Sequence, residues 1–174
     1  MIKKICHRKI YGLIIIVVFA VLSLLCFLYT SDSIDNKQEY EYYLYTPTMI
    51  NKIENTYFIV DCWQNRIIYN DHIDDKIENW HTLVDDVQHP HTIASDGKIY
   101  VADDSEGWDI RVFRKSLFGD FEEIQNIPLG NRPHCVRYDA DTERFYALSS
   151  MGGKITVYQN INNELIFLEH KRLM

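Results

Sequence analysis

From residue 47 onward the chain is a succession of short apolar runs broken by polar turns. TYFIVD (56–61), RIIYN (66–70), KIYVAD (98–103), IRVFRK (110–115), FEEIQNI (121–127), RFYALS (144–149), KITVYQ (154–159) and LIFLEH (165–170) are each only a few residues long and rich in β-branched and aromatic side chains. A helix would need about ten or more residues with apolar positions recurring at a 3.6-residue period, so these runs predict strands. SDGK (95–98) and MGGK (151–154) carry glycine where a tight hairpin turn requires positive φ. One stretch breaks the pattern. Ile10 to Tyr29 holds twenty residues without a charge, and as a helix it would span about 30 Å, one hydrocarbon core.

The short runs repeat. Pro47, Pro90 and Pro133 stand 43 residues apart, and each opens the pattern Pro-x-x-[Ile/Val] (TPTMI, HPHTI, RPHCV). Three further runs follow each proline, the last of them beginning at Trp80, Phe121 and Leu165. Four short strands in a unit of this length is the arithmetic of a propeller blade. The chain therefore reads as all-β, a partial β-propeller of about three four-stranded blades, with units starting near 47, 90 and 133.

The middle unit, PHTIASDGKIYVADDSEGWDIRVF, resembles the NHL-repeat and related six- and seven-bladed β-propeller families. The resemblance covers residues 47 to 173 and implies architecture more than activity, because such propellers include binding scaffolds, lyases and lactonases. A ring closes with roughly four to eight blades. Three readings of the shorter count stay open: a shortened relative of a longer protein, an open three-blade wedge, or two chains pairing into a six-bladed ring. EYEYYLYT (39–46) alternates and stands where a closing strand would be expected.

Lys3, Lys4, Arg8 and Lys9 precede the apolar stretch, which predicts a cytoplasmic segment (1–9), a transmembrane signal anchor (10–29), a linker (30–38) and an extracytoplasmic propeller-like domain (39–174) at the cell membrane. Two alternatives to an uncleaved anchor fit the residues less well. A cleaved signal peptide has a shorter apolar region and a small-residue cleavage site. Lipidation at Cys26 would place bulky Leu25 where a small residue normally stands.

Composition sharpens the picture only once the anchor is set aside. The whole chain carries −7; removing four of the 18 basic residues leaves 14 against 25 acidic ones, a net charge of −11 beyond residue 30. Such a domain repels phosphate backbones, and nucleic acid is excluded as a partner. Cys6 and Cys26 fall in the basic and apolar segments, leaving Cys62 and Cys135, too distant in the repeat to form a bridge and too sparse for a cysteine zinc site.

Candidate chemistry centres on His91 and His134, which occupy matching places in the second and third units, with Thr48 at that place in the first. In peptide-amidating lyases built on NHL repeats a similar Pro-His strand supplies a zinc ligand, and the resemblance implies the same possibility for these two. The alternative is a histidine set by the repeat and bonded to a neighbouring strand. Asp61, Asp103 and Asp104 close second strands and would suit Ca²⁺ if gathered, or else fix turns. His72, His81 and His89 show no ligand spacing. Trp63, Trp80 and Trp108 would either form a sugar-stacking platform or pack between blades. Nucleophile-elbow, zincin and phosphate-loop motifs are missing.

These readings converge on a membrane-anchored, extracytoplasmic binding or interaction module with a protein or carbohydrate ligand, no cofactor, and a possible homodimer completing a ring. A metal-dependent lyase or hydrolase using His91 and His134 with Zn²⁺ is the alternative. A truncated, non-functional relative of a longer propeller protein is another.

Overall fold

The computed structural model describes residues 17–25 and 43–172, and the chain divides into the units Met1–Tyr42 and Tyr43–Met174. Residues 17–25 are helical and exposed. Nine helical residues extend about 14 Å, and among the described residues no helix is long and apolar enough to cross a membrane. The rest of the 10–29 stretch, the basic segment 1–9 and the linker 30–38 lie outside the described residues.

The second unit is all-β, and its strands gather into three four-stranded antiparallel sheets, each meandering in sequence order. Blade 1 holds β1 (Pro47–Ile53), β2 (Thr56–Asp61), β3 (Arg66–Asn70) and β4 (His81–Val84). Blade 2 holds β5 (Ile93–Ser95), β6 (Tyr100–Asp104), β7 (Asp109–Lys115) and β8 (Phe121–Pro128). Blade 3 holds β9 (Pro133–Asp139), β10 (Arg144–Ser149), β11 (Lys154–Ile161) and β12 (Glu164–Arg172). The first strands lie side by side, β1 against β5 and β5 against β9, and are the inner strands of the assembly.

Register shows how alternation builds the packing between blades. The pairs Val60↔Ile67, Asp103↔Ile110 and Leu148↔Ile155 are equivalent, as are Phe58↔Tyr69, Val101↔Val112 and Tyr146↔Val157. Because side chains alternate across a strand, these positions share the face that each blade turns toward the next, here called its front. Phe58, Val60 and Ile67 of blade 1 pack on Ile93, Tyr100, Ala102 and Phe113 of blade 2. Val101, Ile110 and Val112 of blade 2 pack in turn on Val136, Phe145, Ala147 and Tyr158 of blade 3. Each interface is mainly apolar, with buried Thr92, Asp103 and Ser105 between blades 2 and 3, and the apolar burial supplies the main stabilisation.

The structure corrects the repeat frame by one residue. β6 ends at Asp104, and the pairs Asp61↔Arg66 and Asp104↔Asp109 match, so Asp104, not Asp103, is the counterpart of Asp61. The reason is that strand pairing runs one residue past the apolar run, to Asp104↔Asp109. The fourth strand expected from Trp80 is also shorter. β4 begins at His81, because residues 71–80 form a long connection with a 3-10 turn (Ile77–Asn79). Residues 116–120 make the same connection in blade 2 with half the length. The extra chain in blade 1 folds back so that Trp80, with its indole N–H donating to Asp75 O at 3.1 Å, covers Ile59 and Ile68 together with Leu44 and Ile77. The back of blade 1 is thereby closed by its own loop.

Candidate functional site

Proline fixes φ at the start of β9 and just before β5 and sets the following residue at the same place on the inner edge of each blade. The sheet geometry then brings His91 and His134 together: their rings stack with centroids 3.9 Å apart and planes 17° apart. His134 is exposed and His91 half-buried. Thr48, at the matching place in blade 1, donates to the His91 carbonyl at 3.1 Å. Burial, then the neighbouring His134, Arg132 and His89, push the His91 imidazole down to about 4, so it is neutral at pH 7. In nearly parallel rings the in-plane lone pairs run side by side and do not converge on one point. Among the described residues no group of three His, Cys, Asp or Glu side chains is placed to hold a metal ion.

Around the stack lies a polar rim that single-residue motifs did not reveal. Arg132, immediately before Pro133, pairs with Glu106, and Glu106 lies 3.8 Å from His89 Nδ1. His89 in turn packs on Trp63 at 5.3 Å, and Tyr45 meets the same indole edge-on at 6.5 Å. Trp63 and His89 are thus brought toward the histidine pair by loops from two blades.

The three tryptophans do not share a platform. Trp63 (61 % exposed) and Trp108 (45 % exposed) lie in the β2–β3 and β6–β7 connections, whereas Trp80 is buried against the back of blade 1. His72 and His81 line a separate cleft of about 440 Å³ with Tyr69, Lys115, Phe118 and Asp120.

The acidic residues tie strands to the chain entering each blade. Asp61 Oδ1 accepts from Tyr45 N and Thr46 N at 3.0 and 2.9 Å, and its other oxygen pairs with Arg66 at 3.2 Å. Asp104 Oδ1 accepts from Gln88 N at 3.0 Å and Gly107 N at 2.8 Å. Fully buried Asp103 accepts from His91 N, Thr92 N, Thr92 Oγ1 and Ser105 Oγ at 2.6 to 3.0 Å. Burial raises its pKa above the usual carboxylate range against the pull of those bonds. Asp103 therefore fixes the backbone that presents His91, and the three carboxylates are spent on separate local networks. Cys62, buried, and Cys135, half-buried, are both free thiols; burial pushes the Cys62 thiol up, and it is correspondingly less reactive.

No family model matches the chain. Nor does any curated protein. Among solved structures the chain is similar to the periplasmic gluconolactonase of Pseudomonas aeruginosa, with TM-score 0.57 and 13% identity over 72% of this chain and 40% of that one. It is also similar to hydrazine synthase of Kuenenia stuttgartiensis, with TM-score 0.56 and 18% identity over 71% and 35%. Virginiamycin B lyase of Staphylococcus aureus gives TM-score 0.51 and 16% identity over 71% and 41%. The fold is that of a partial β-propeller. The chain spans 35% to 41% of the length of these structures, and at such identity the likeness carries the fold alone.

Proposed function

We propose that the chain is a binding module of the propeller type, held at the extracytoplasmic face of a membrane by residues 10–29, with its ligand site at the rim formed by His91, His134, Trp63, His89 and Arg132. The observation that carries this reading is the His91–His134 stack, a flat aromatic surface near the Arg132 guanidinium and His89, which itself packs on the exposed Trp63 indole. Aromatic faces flanked by a few polar groups bind peptides and sugars by stacking and hydrogen bonding without any metal. The carboxylates nearest the pair are engaged with backbone amides, which favours a fixed presenting surface over a reaction centre. A protein or carbohydrate ligand fits this surface.

The test is ring-selective NMR of histidine-labelled full chain in a non-ionic detergent, titrated with panels of oligosaccharides and peptides. A true ligand shifts His91 and His134 together, and His134→Ala abolishes its binding. A ligand that binds tightly while leaving both rings unshifted would place the site elsewhere. Protease treatment of intact spheroplasts tests the topology: residues 31 to 174 are digested if the anchor reading holds, and full protection contradicts it.

A second reading is supported by the two imidazoles on adjacent inner strands: a metal-dependent lyase or hydrolase with Zn²⁺ on His91 and His134. A neutral imidazole is the form that ligates, and His91, its pKa pushed down to about 4, holds that form at pH 7.

A further inference from the structure

The cleft lined by Tyr69, Asp71, His81, Lys115, Phe118 and Asp120 has a volume of about 440 Å³, inside the range of roughly 300–1,000 Å³ in which small-molecule sites fall. It lies at the outer edge of the interface between blades 1 and 2, where β3 and β4 meet the β7–β8 hairpin. His91 and His134 sit on the inner edge. Both walls of the cleft belong to blades that pack on each other through Phe58, Tyr69, Tyr100 and Phe121, so its shape does not depend on an unpaired blade face.

Each rim is held by its own hydrogen bonds. On blade 1, buried Asn70 accepts from His72 N at 2.8 Å and donates to Asp75 Oδ2 and the Asn79 carbonyl at 3.3 Å, which ties down the long connection. On blade 2, residues 116–120 form a tight turn in which Ser116 N donates to the Asp120 carbonyl at 2.7 Å and Gly119 N to the Ser116 carbonyl at 3.1 Å. That turn presents Phe118 at the mouth of the cleft, 94 % exposed. The site is pre-formed, which spares a ligand the cost of ordering a loop.

The lining combines an aromatic surface with charges of both signs. The Tyr69 and His81 rings stack 5.3 Å apart, and Phe121 backs Tyr69 edge-on at 4.8 Å. Thr56 Oγ1 donates to Asp71 Oδ1 at 2.7 Å and accepts from Lys115 Nζ at 3.4 Å, so one hydroxyl stands between an acid of blade 1 and an ammonium of blade 2. Among the described residues none of Asp71, Lys115 and Asp120 makes an ion pair. A cationic ligand would be opposed by Lys115 and an anionic one by Asp71 and Asp120, because like charges brought together across an interface are costly. A neutral molecule escapes both penalties. If it carries hydroxyls that donate and accept, together with an apolar C–H face to lie on an aromatic ring, it matches every group of the lining.

We infer that this cleft is a saccharide site that takes one neutral sugar ring, with Tyr69 and Phe118 as stacking surfaces and Asp71, Asp120 and Lys115 as partners for its hydroxyls. It is separate from the rim at His91 and His134 and stands whether or not that rim binds a ligand.

The test is NMR of histidine-labelled full chain in a polyoxyethylene detergent, which has no sugar headgroup. The probes are N-acetylglucosamine and the methyl glycosides of glucose, galactose and mannose, with glucosamine and glucuronate as charged counterparts. A single sugar ring in an open cleft binds weakly, so a neutral sugar should shift the His72 and His81 rings in fast exchange and leave His91 and His134 unmoved. The charged counterparts should bind several-fold more weakly. Phe118→Ala and Asp120→Asn change exposed side chains; both should keep the circular-dichroism spectrum of wild type and weaken neutral-sugar binding several-fold. Three results would overturn the inference: no shift of His72 or His81 with any of the neutral sugars, charged counterparts that bind as well as neutral ones, or wild-type affinity in both variants. A sugar that shifts His91 and His134 without His72 and His81 would also overturn it, while supporting the inner rim as a ligand site.

Discussion

Thr92 Oγ1 accepts the backbone N–H of Val136 at 2.7 Å while donating to Asp103 Oδ1 at 2.6 Å, so one hydroxyl joins blade 2 to blade 3 and both to a buried acid. Thr92→Val keeps the shape and removes the hydroxyl, leaving an amide and a carboxylate oxygen short of a partner. Such a loss costs about 1–3 kcal/mol. Urea unfolding of the two proteins should show a lower midpoint with unchanged slope, and Thr92→Ser should recover most of the difference. Equal midpoints for all three would mean that the clamp contributes nothing.

Asp103 sets a pH dependence of unusual sign. Its folded-state pKa is raised by burial, so the folded domain holds a proton that the unfolded chain releases near its ordinary value of 3.8. The stabilisation from this group is complete below 3.8 and is lost as pH rises through the folded pKa. Asp103→Asn, neutral at every pH, should flatten that part of the stability profile. A profile unchanged by the substitution would show that Asp103 does not titrate in the folded domain.

His91 works in the opposite direction. Its folded value of about 4 lies below the ordinary 6.5, so the stability linked to the neutral ring is present above pH 6.5 and lost as pH falls toward 4. Because His134 is among the causes of the shift, His134→Ala should move the His91 titration upward, read from its ring proton shifts. No movement would mean that burial alone sets it.

Much of this architecture was legible because a repeat states its own period. The 43-residue spacing of Pro47, Pro90 and Pro133 and the alternating runs located all twelve strands, since strand faces follow directly from the period-two pattern. What alternation cannot report is chain that packs as a loop. Residues 71–80 read as a polar gap before a strand, yet Trp80 seals a blade face, because a single large side chain acts through tertiary contact and not through pattern. The one-residue error at Asp103 has the same origin: YVADD offers two acids at a strand end, and only pairing tells which one faces the next blade. The meeting of His91 and His134 followed from their matched places, while the Arg132–Glu106 pair joins segments far apart in sequence and left no local signal.

The cap itself is testable. Trp80 is 8 % exposed and packs on Ile59 and Ile68, so Trp80→Ala should cost about 3–5 kcal/mol and expose apolar surface that binds a hydrophobic dye. Retained stability with no dye binding would mean that the loop does not close blade 1.

At Gly107 a methyl group would stand 2.4 Å from Asp104 Oδ1, the atom that accepts the Gly107 amide. Gly107→Ala should push the carboxylate off Gln88 N and lower stability by about 1–3 kcal/mol, as overpacking does. An unchanged melting temperature would show that the turn relaxes freely.

The central claim is that His91 and His134 form a stacked binding surface and not a metal centre, and metal analysis of the purified full chain tests it most directly. With wild type, His91→Ala and His134→Ala compared side by side, the account predicts no stoichiometric metal in any of them, together with a lower melting temperature for His91→Ala. One equivalent of Zn²⁺ in wild type, absent from both variants at unchanged melting temperature, would contradict it and establish the two histidines as ligands.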